Sequence, residues 1–380
     1  MKPADRLVSL DAFRGATIAA MLLVNNPGSW GSVYPPLLHA PWHGWTFTDL
    51  IFPGFLWIVG VSLTLSTARR VEAGADRAEL FRHAVKRSAI IFALGIFLAA
   101  FPFGLLSAHQ FSLGTLRIPG VLQRIALCYL AASAIFFYTG WRGQLAWAIA
   151  LLVGYWALLK FVPVPGFGAG VLEPNGNLAW WIDSRVLAGH TWSGAPAPGF
   201  DPEGIPSTLP AIATVLCGTL AGYWLRGGRD GGKTSAGLVV GGLVLLALGA
   251  VCDGVLPINK NLWTSSYVVF MAGWSTLVFG IFHWFVDVRG WRAWAQPFVW
   301  YGMNALALFV LAGVVGRLLG LIRWSDDAGA TVTLKGWIYA HGFTPWLSPL
   351  NASLAFAVSF VLVFLALAWA LWRRKWFIKV

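Results

Sequence analysis

Two histidines and an aspartate lie close together in one short segment, His39-Ala-Pro-Trp-His43-Gly-Trp-Thr-Phe-Thr-Asp49. An imidazole takes up and returns a proton near neutral pH, which acyl transfer to an amine requires of a general base. Asp49 falls about one turn into an apolar run, where an ionisable group is costly and usually functional. For the histidines, two interpretations stay open: acid–base chemistry, or ordinary polar residues of a loop at a membrane surface.

Charged side chains also interrupt other apolar runs. Asp11 and Arg14 are three residues apart and can pair on one face of a helix. Arg124, next to Gln123, has no acidic neighbour in the sequence, and an arginine without a local partner suits an anionic ligand such as a phosphate. A polar network between helices explains Asp11 and Arg14 equally well, whereas the isolation of Arg124 favours a ligand contact.

A third set of polar residues precedes two later apolar runs. It contains Asp201 and Glu203 before one run and Lys260 before the other. The second segment also contains Asn259, Asn261 and Trp263. Carboxylates, amides and a tryptophan together are what a sugar-binding site uses: polar groups for the hydroxyls and the amine, and a flat apolar face for the ring. Helix capping accounts for a neighbouring hydroxyl such as that of Ser207, but it does not account for the charged members of the set.

The elements that must position these residues are apolar. Of the 380 residues, 58% are hydrophobic and 11% are charged, whereas a soluble domain carries roughly a quarter charged residues. Stretches long enough to cross a bilayer occur at residues 7–26, 46–68, 88–106, 119–138, 144–162, 206–225, 235–252, 263–285, 296–316 and 350–372. The sequence therefore predicts an all-α polytopic transmembrane bundle of about ten helices, one domain over residues 1–380. We expect the first stretch to be a retained helix, because no signal-cleavage pattern follows it.

The basic residues predict the orientation of this bundle. If the N-terminus is cytoplasmic, 18 of the 27 lysines and arginines fall on the cytoplasmic side: Lys2, Arg6, Arg69, Arg70, Arg77, Arg82, Lys86, Arg87, Arg142, Arg226, Arg229, Lys233, Arg289, Arg292, Arg373, Arg374, Lys375 and Lys379. This asymmetry predicts that both termini are cytoplasmic and that the long connectors 163–205 and 317–349 are outside. The net charge of +12 then follows the topology and does not indicate nucleic-acid binding.

Two further patterns indicate no separate function. The three cysteines, Cys128, Cys217 and Cys252, lie in or at the end of apolar runs and form neither a disulfide framework nor a metal-binding spacing. Residues 227–234 satisfy the P-loop pattern, but they join two predicted transmembrane helices and lack the preceding strand that a P-loop needs. We therefore expect no metal and no nucleotide-hydrolysing core.

Together, these segments resemble the heparan-α-glucosaminide N-acetyltransferase family. The resemblance is carried, in family order, by residues 6–15 (Arg-Leu-Val-Ser-Leu-Asp-Ala-Phe-Arg-Gly), 39–53, 117–126 (Arg-Ile-Pro-Gly-Val-Leu-Gln-Arg-Ile-Ala), 201–204 (Asp-Pro-Glu-Gly) and 257–260 (Pro-Ile-Asn-Lys). It implies a helical membrane enzyme, often dimeric, that takes acetyl groups from cytosolic acetyl-CoA. The acceptor it implies is a glucosamine-type amine of a glycan on the far side of the membrane.

The resemblance also implies roles for individual residues. The family's key histidine falls on His39, as a base or as an acetyl carrier, and its cavity asparagine falls on Asn25, which can stabilise the oxyanion. Asp49 would orient an imidazole as the carboxylate of a triad does. We assign Arg124, Arg14 and Gln123 to the acetyl-CoA cofactor, and His43, Asp201, Glu203, Lys260 and Trp42 to the acceptor.

The sequence departs from the lysosomal enzyme in several places. That enzyme has asparagine–glycine where this chain has His43-Gly44, and the stretch between Asn25 and His39 is a few residues longer here. An additional lumenal domain and a first helix have no counterpart, so we expect a bacterial inner-membrane protein. The alternative from another class is an amino-sugar transporter, which polar residues within helices also fit.

Overall fold

The computed structural model of the protein describes residues 7–105, 111–325 and 329–378. Lys2, Arg6 and Lys379, which contribute to the predicted charge asymmetry, lie outside these ranges. The described chain is mainly helical, with a single short hairpin of strands, and confirms the predicted all-α polytopic class. Its helices are α1 Val8–Asn25, α2 Phe47–Glu72, α3 Arg77–Ala100, α4 Val121–Tyr138, α5 Trp141–Phe161, α6 Leu178–Val186, α7 Ile205–Leu225, α8 Gly231–Asp253, α9 Ser265–His283, α10 Gln296–Met303, α11 Ala305–Leu321, α12 Leu334–Gly342 and α13 Pro349–Arg373.

Within the described ranges, nine helices are long and apolar enough to cross a membrane, and α10 with α11 form a tenth, bent candidate. The predicted stretches therefore coincide with real helices. The bounds of α2 and α3 differ from the prediction. α2 continues to Glu72, and α3 begins at Arg77 and ends at Ala100, where the prediction was 88–106. Hydropathy marks the part of a helix that lies in lipid, whereas its hydrogen-bonded turns continue past the interface, where Lys and Arg are favourable.

The predicted helix at 296–316 is wrong as a single element. α10 and α11 meet at Asn304 with a bend of 82°. The Asn304 side chain donates to the carbonyl of Trp376 at 3.0 Å and accepts from the amide of Ile378 at 2.8 Å. A side chain that bonds to another segment stabilises such a break, and this partner lies more than 70 residues away in sequence.

Close approaches between glycines hold the centre of the bundle together. Between α2 and α7, a Cβ at Gly60 would lie 1.9 Å from a carbonyl oxygen of Val215, and one at Gly218 would lie 2.0 Å from that of Trp57. Small residues permit helices to pack backbone to backbone, which is how helices associate in a bilayer. A side chain at either glycine would therefore force the two helices apart.

The outer helices carry the lipid-facing surface. α5, α8 and α13 are exposed along most of their length, and exposed apolar side chains such as those of Val240, Val244 and Val251 follow α8. A continuous apolar face of this kind is stable against the hydrocarbon chains of a bilayer.

The helices alternate in direction, so the two ends of the bundle differ. At one end, Arg226 pairs with Glu72 at 2.7 Å, joining the ends of α7 and α2. The opposite end, called the loop end below, carries the starts of α2, α4, α7 and α9 and the long connectors. These connectors hold α6, α12 and the antiparallel hairpin of β1 Arg323–Ser325 and β2 Thr331–Thr333. Arg317, which the sequence placed in a connector, belongs to α11.

Candidate active site

His39 and Asp49 form a close pair at the loop end. The distance from His39 Nδ1 to Asp49 Oδ1 is 2.6 Å. The imidazole is 52% exposed, whereas the carboxylate is 1% exposed. A buried carboxylate that accepts the Nδ1 proton leaves the Nε2 lone pair available on the exposed side of the ring. This is the arrangement of a general base or a nucleophile.

The second carboxylate oxygen of Asp49 organises the loop that carries the histidine. Oδ2 accepts hydrogen bonds from the backbone amides of Ala40 and Thr46, each at 3.0 Å, and from the Thr46 hydroxyl at 3.1 Å. Asp49 is in the first turn of α2, so the Thr46 amide bond is the backward-reaching half of a capping box. One buried side chain thus fixes the start of α2, the His39 loop and the imidazole.

A second loop, residues 254–264 between α8 and α9, docks against the first. The Gly44 amide donates to the Ile258 carbonyl at 2.7 Å, and Asn259 Nδ2 lies 3.3 Å from His43 Nδ1. Gly44 has a φ of +90°, which a glycine adopts at little cost. A glycine after His43 therefore allows the backbone conformation that this contact between the two loops requires.

The docked loop places Lys260 against the His39–Asp49 pair. Its Nζ lies 3.0 Å from His39 Nδ1, 3.2 Å from Nε2 and 3.7 Å from Asp49 Oδ1. Burial lowers the pKa of Lys260, and the carboxylates of Asp49 and Glu203 oppose this shift. The sequence suggested Lys260 for the acceptor but did not predict its contact with the histidine.

The two predicted acceptor carboxylates are held by an arginine. Arg117 donates to both oxygens of Asp201, at 2.6 and 2.8 Å, and to Glu203 Oε2 at 2.6 Å. The Asp201 carboxylate is completely buried and also accepts from the amides of Trp192 and Glu203, each at 2.9 Å. Asp201 therefore anchors the connector before α7, whereas contact of Glu203 with an acceptor stays a prediction.

Glu203 links this arginine to the histidine cluster electrostatically. Burial opposes its ionisation, but the charge of Arg117, followed by those of Arg124 and Lys260, holds its pKa below the ordinary value. Carboxylates and cations thus alternate from Arg117 to Lys260 across the loop end. Such alternation can hold a polar acceptor without leaving a buried charge unbalanced.

Arg124 lies in the first turn of α4. Its Nη2 donates to the Gly204 carbonyl at 3.2 Å and to the Ser207 hydroxyl, and its guanidinium lies 5.0 Å from the ring centre of Trp263. Ser207, for which the sequence suggested capping, does not cap α7. Nε and Nη1 of Arg124 are buried without a hydrogen-bond partner among the described residues. The position at the loop end separates Arg124 from the basic loops at the opposite end.

Asp183 of α6 is a buried carboxyl group beside this arginine. Its Oδ1 accepts from the Ile205 amide at 2.9 Å, and a Cβ at Gly204 would lie 1.8 Å from Oδ2. Burial raises the pKa of Asp183 to about 7, despite the Ile205 hydrogen bond, which acts in the opposite direction. The sequence did not single out this residue, because a lone aspartate in a long connector carries no pattern.

We predict that Asp183 makes the stability of the fold depend on pH. Its ordinary pKa is 3.8, so the folded protein holds an extra proton between about pH 4 and 7, and stability falls as the pH rises through that window. Asp183→Asn mimics the protonated acid. We expect the variant to melt higher than wild type, by a margin that is larger at pH 8 than at pH 5 by about 3 °C or more. Differential scanning fluorimetry measures both.

The same substitution at an exposed acid provides the control. Asp76 caps α3, and Asp76→Asn should show no such difference between pH 5 and 8, because asparagine caps about as well as aspartate. Equal melting of wild type and Asp183→Asn at pH 8 would contradict the raised pKa.

Comparison with known proteins identifies the family. Residues 6–246 match the family model of heparan-alpha-glucosaminide N-acetyltransferase, catalytic. This match covers more than half of the chain. The chain belongs to the heparan-α-glucosaminide N-acetyltransferase catalytic family. His39, Asp49, Arg124 and Glu203 lie within the matched region, whereas Lys260 lies beyond it.

Two curated members of the family show the extent of the similarity. The heparan-α-glucosaminide N-acetyltransferases of Mus musculus and Homo sapiens are each 29% identical to the chain. The alignments cover 81% and 80% of this chain, but 53% and 52% of those proteins. The chain spans about half the length of the curated relatives it matches.

Two predicted site residues of this family member remain, Asn25 and Trp42. The first is exposed, and the second packs against another aromatic ring. Asn25 is the last residue of α1, exposed at the loop end, and does not hydrogen-bond to His39. Its oxyanion role stays a prediction. Trp42 packs against Phe200 with a ring distance of 5.6 Å, and its indole NH donates to Leu172 at 2.9 Å.

Two predicted cofactor residues help to pack the acetyltransferase-family bundle. The predicted Asp11–Arg14 pair is confirmed at 3.1 Å, and Arg14 also donates to Ser62 at 2.9 Å. Gln123 is buried, and a Cβ at Gly95 would lie 2.3 Å from its amide oxygen. These contacts tie α1 to α2 and α4 to α3. A role of either residue in binding acetyl-CoA stays a prediction.

Sequence reasoning missed the contacts of two residues that build the site. Arg117 was part of the family motif, but its partners are more than 80 residues away. Asn259 was counted among the amides of a sugar site, but its side chain contacts His43 and accepts from the Leu262 amide at 2.8 Å. The signal that pointed to both was their place within a motif, since their partners come from distant loops.

Proposed function

We propose that the protein transfers an acetyl group from acetyl-CoA to the amine of an amino sugar of the glucosamine type. Membership of the heparan-α-glucosaminide N-acetyltransferase family supports acetyl transfer. The observation that carries the proposal is the half-exposed His39 held at 2.6 Å by a buried carboxylate. That pair is what acyl transfer to an amine needs.

The chemistry follows from the pair. The acceptor amine attacks the thioester carbonyl, a C–N bond forms, and the C–S bond breaks to release the CoA thiolate. His39 Nε2 takes the proton that the amine loses and returns it to the thiolate. If His39 carries the acetyl group instead, Nε2 attacks the thioester first and the amine then attacks the acetyl-imidazole. Asp49 holds the ring through Nδ1 in both routes.

The donor and the acceptor meet at the loop end in this proposal. Acetyl-CoA is polyanionic, so its nucleotide belongs against the basic loops at the opposite end, with the slim pantetheine arm passing between helices. Arg124 lies at the loop end and would then contact the arm or the thioester rather than the nucleotide phosphates. Glu203, with His43 and the face of Trp42, would hold the acceptor sugar.

The proposed membrane orientation can be tested directly. We predict that a cysteine at Ser193 is labelled only from outside the membrane and one at Lys233 only from inside, because the basic loops define the cytoplasmic side. Both positions are exposed. The background lacks the native Cys128, Cys217 and Cys252. An impermeant maleimide, applied to intact cells or to inverted vesicles, gives the measurement, and the reverse labelling pattern would contradict the topology.

The test of the proposed function is a transfer assay. We expect purified protein with radiolabelled acetyl-CoA to acetylate glucosamine, and to leave N-acetylglucosamine, whose amine is blocked, unlabelled. A panel of amino sugars identifies the preferred acceptor. No labelled product with any amine, together with sugar flux into vesicles that needs no acetyl-CoA, would replace the proposal by the transporter alternative. A homodimer and a bacterial inner membrane stay predictions from the resemblance.

A further inference from the structure

Lys260 has an unusual position relative to the imidazole of His39. Its Nζ is almost equally far from the two ring nitrogens, at 3.0 and 3.2 Å. An approach in the plane of the ring, between those nitrogens, would drive Nζ onto the Cε1 atom. The ammonium group must therefore lie over the face of the ring, and it leaves the Nε2 edge free.

The charges around His39 then oppose each other. Asp49, on α2, accepts at Nδ1 and by itself favours the protonated imidazolium. Lys260, on the loop before α9, brings a positive charge at similar range and disfavours the imidazolium. The charges of Glu203, on the connector before α7, and of Arg124, on α4, also act on Lys260.

We propose that Lys260 is a positioning residue that offsets Asp49, so that His39 stays neutral at Nε2 while Nδ1–H remains bound to the carboxylate. This inference rests on the proposed role of His39 and extends it. An aspartate alone would fix the correct tautomer, but it would also favour protonation of Nε2, and an imidazolium can neither attack nor take up a proton. The positive charge of Lys260 opposes protonation of Nε2. It leaves the tautomer unchanged, because the ammonium lies over the ring face and does not compete for the Nδ1 hydrogen bond.

The proposal predicts the effect of removing the charge. In Lys260→Met the imidazolium loses its neighbouring positive charge, so His39 stays protonated to higher pH. The acidic limb of the pH–rate profile for acetyl transfer should move up by about one pH unit. Lys260→Arg keeps the charge and should keep the wild-type midpoint.

A second measurement needs no acetyl transfer. Diethyl pyrocarbonate modifies neutral imidazole, and mass spectrometry follows His39 and His43 separately across pH. We expect the midpoint of His39 modification to rise by about one pH unit in Lys260→Met, with that of His43 unchanged as the internal reference. If acetylated product is never found but this midpoint moves, the proposed function fails and the role of Lys260 stands.

Two outcomes would overturn the proposal. One is an unchanged His39 midpoint in a folded Lys260→Met protein, or in Lys260→Gln, which keeps a polar group at the buried position. The other is that neither neutral variant folds whereas Lys260→Arg does, which would make Lys260 a structural residue of the loop 254–264.

Discussion

His39→Ala is expected to reduce acetyl transfer by at least about 100-fold, the contribution of one positioned general base, and by more if the residue carries the acetyl group. The imidazole is half exposed at the loop end, so its removal leaves no cavity in the core. The melting temperature and the Kd for acetyl-CoA should therefore stay close to wild type. Steady-state kinetics, calorimetric binding and thermal melting measure the three quantities.

His43→Ala is the matched control for this substitution. Both imidazoles lie in the same loop, but His43 contacts only the Asn259 amide among the described hydrogen bonds, and it lacks a buried carboxylate partner. We expect a loss below about tenfold. Transfer at wild-type rates by His39→Ala, or an equal loss in both variants, would remove His39 from its proposed role.

Asp49→Asn is expected to have an effect of similar size through a different cause. Three donors converge on Oδ2, from Ala40 and Thr46, so the amide oxygen of asparagine must take that position. Its NH₂ group then faces His39 Nδ1, which has to accept instead of donate. The ring is forced into the tautomer protonated at Nε2, and transfer should fall by roughly 10²–10⁴-fold.

The wrong tautomer has a recognisable signature. The loss in Asp49→Asn should lie in kcat, with little change in the KM for acetyl-CoA, because the donor is bound elsewhere. Asp183→Asn changes another buried carboxyl group of the loop end and should leave kcat nearly unaffected. If Asp49→Asn is active at wild-type rates, or if its loss equals that of Asp183→Asn, the carboxylate does not act through His39.

The sequence by itself determined the class of the fold and the first half of the site. Hydropathy placed the membrane helices, because a bilayer core excludes polar backbone and side chains over a fixed length. The proximity of His39 and Asp49 was also predictable from the sequence, because His39 lies in a loop and Asp49 lies at the start of the helix that follows this loop. Their pairing needed no information from distant parts of the chain.

The tertiary structure decided what the sequence could not. The break at Asn304 depends on hydrogen bonds to the C-terminal segment. Neither helix propensity nor hydropathy over residues 296–316 indicates that partner. Arg117 and Lys260 were visible as charges, but their partners come from loops more than 80 residues away. Local patterns identify which residues are polar, whereas the packing of the helices determines which polar residues contact each other. At this site those contacts determine the chemistry.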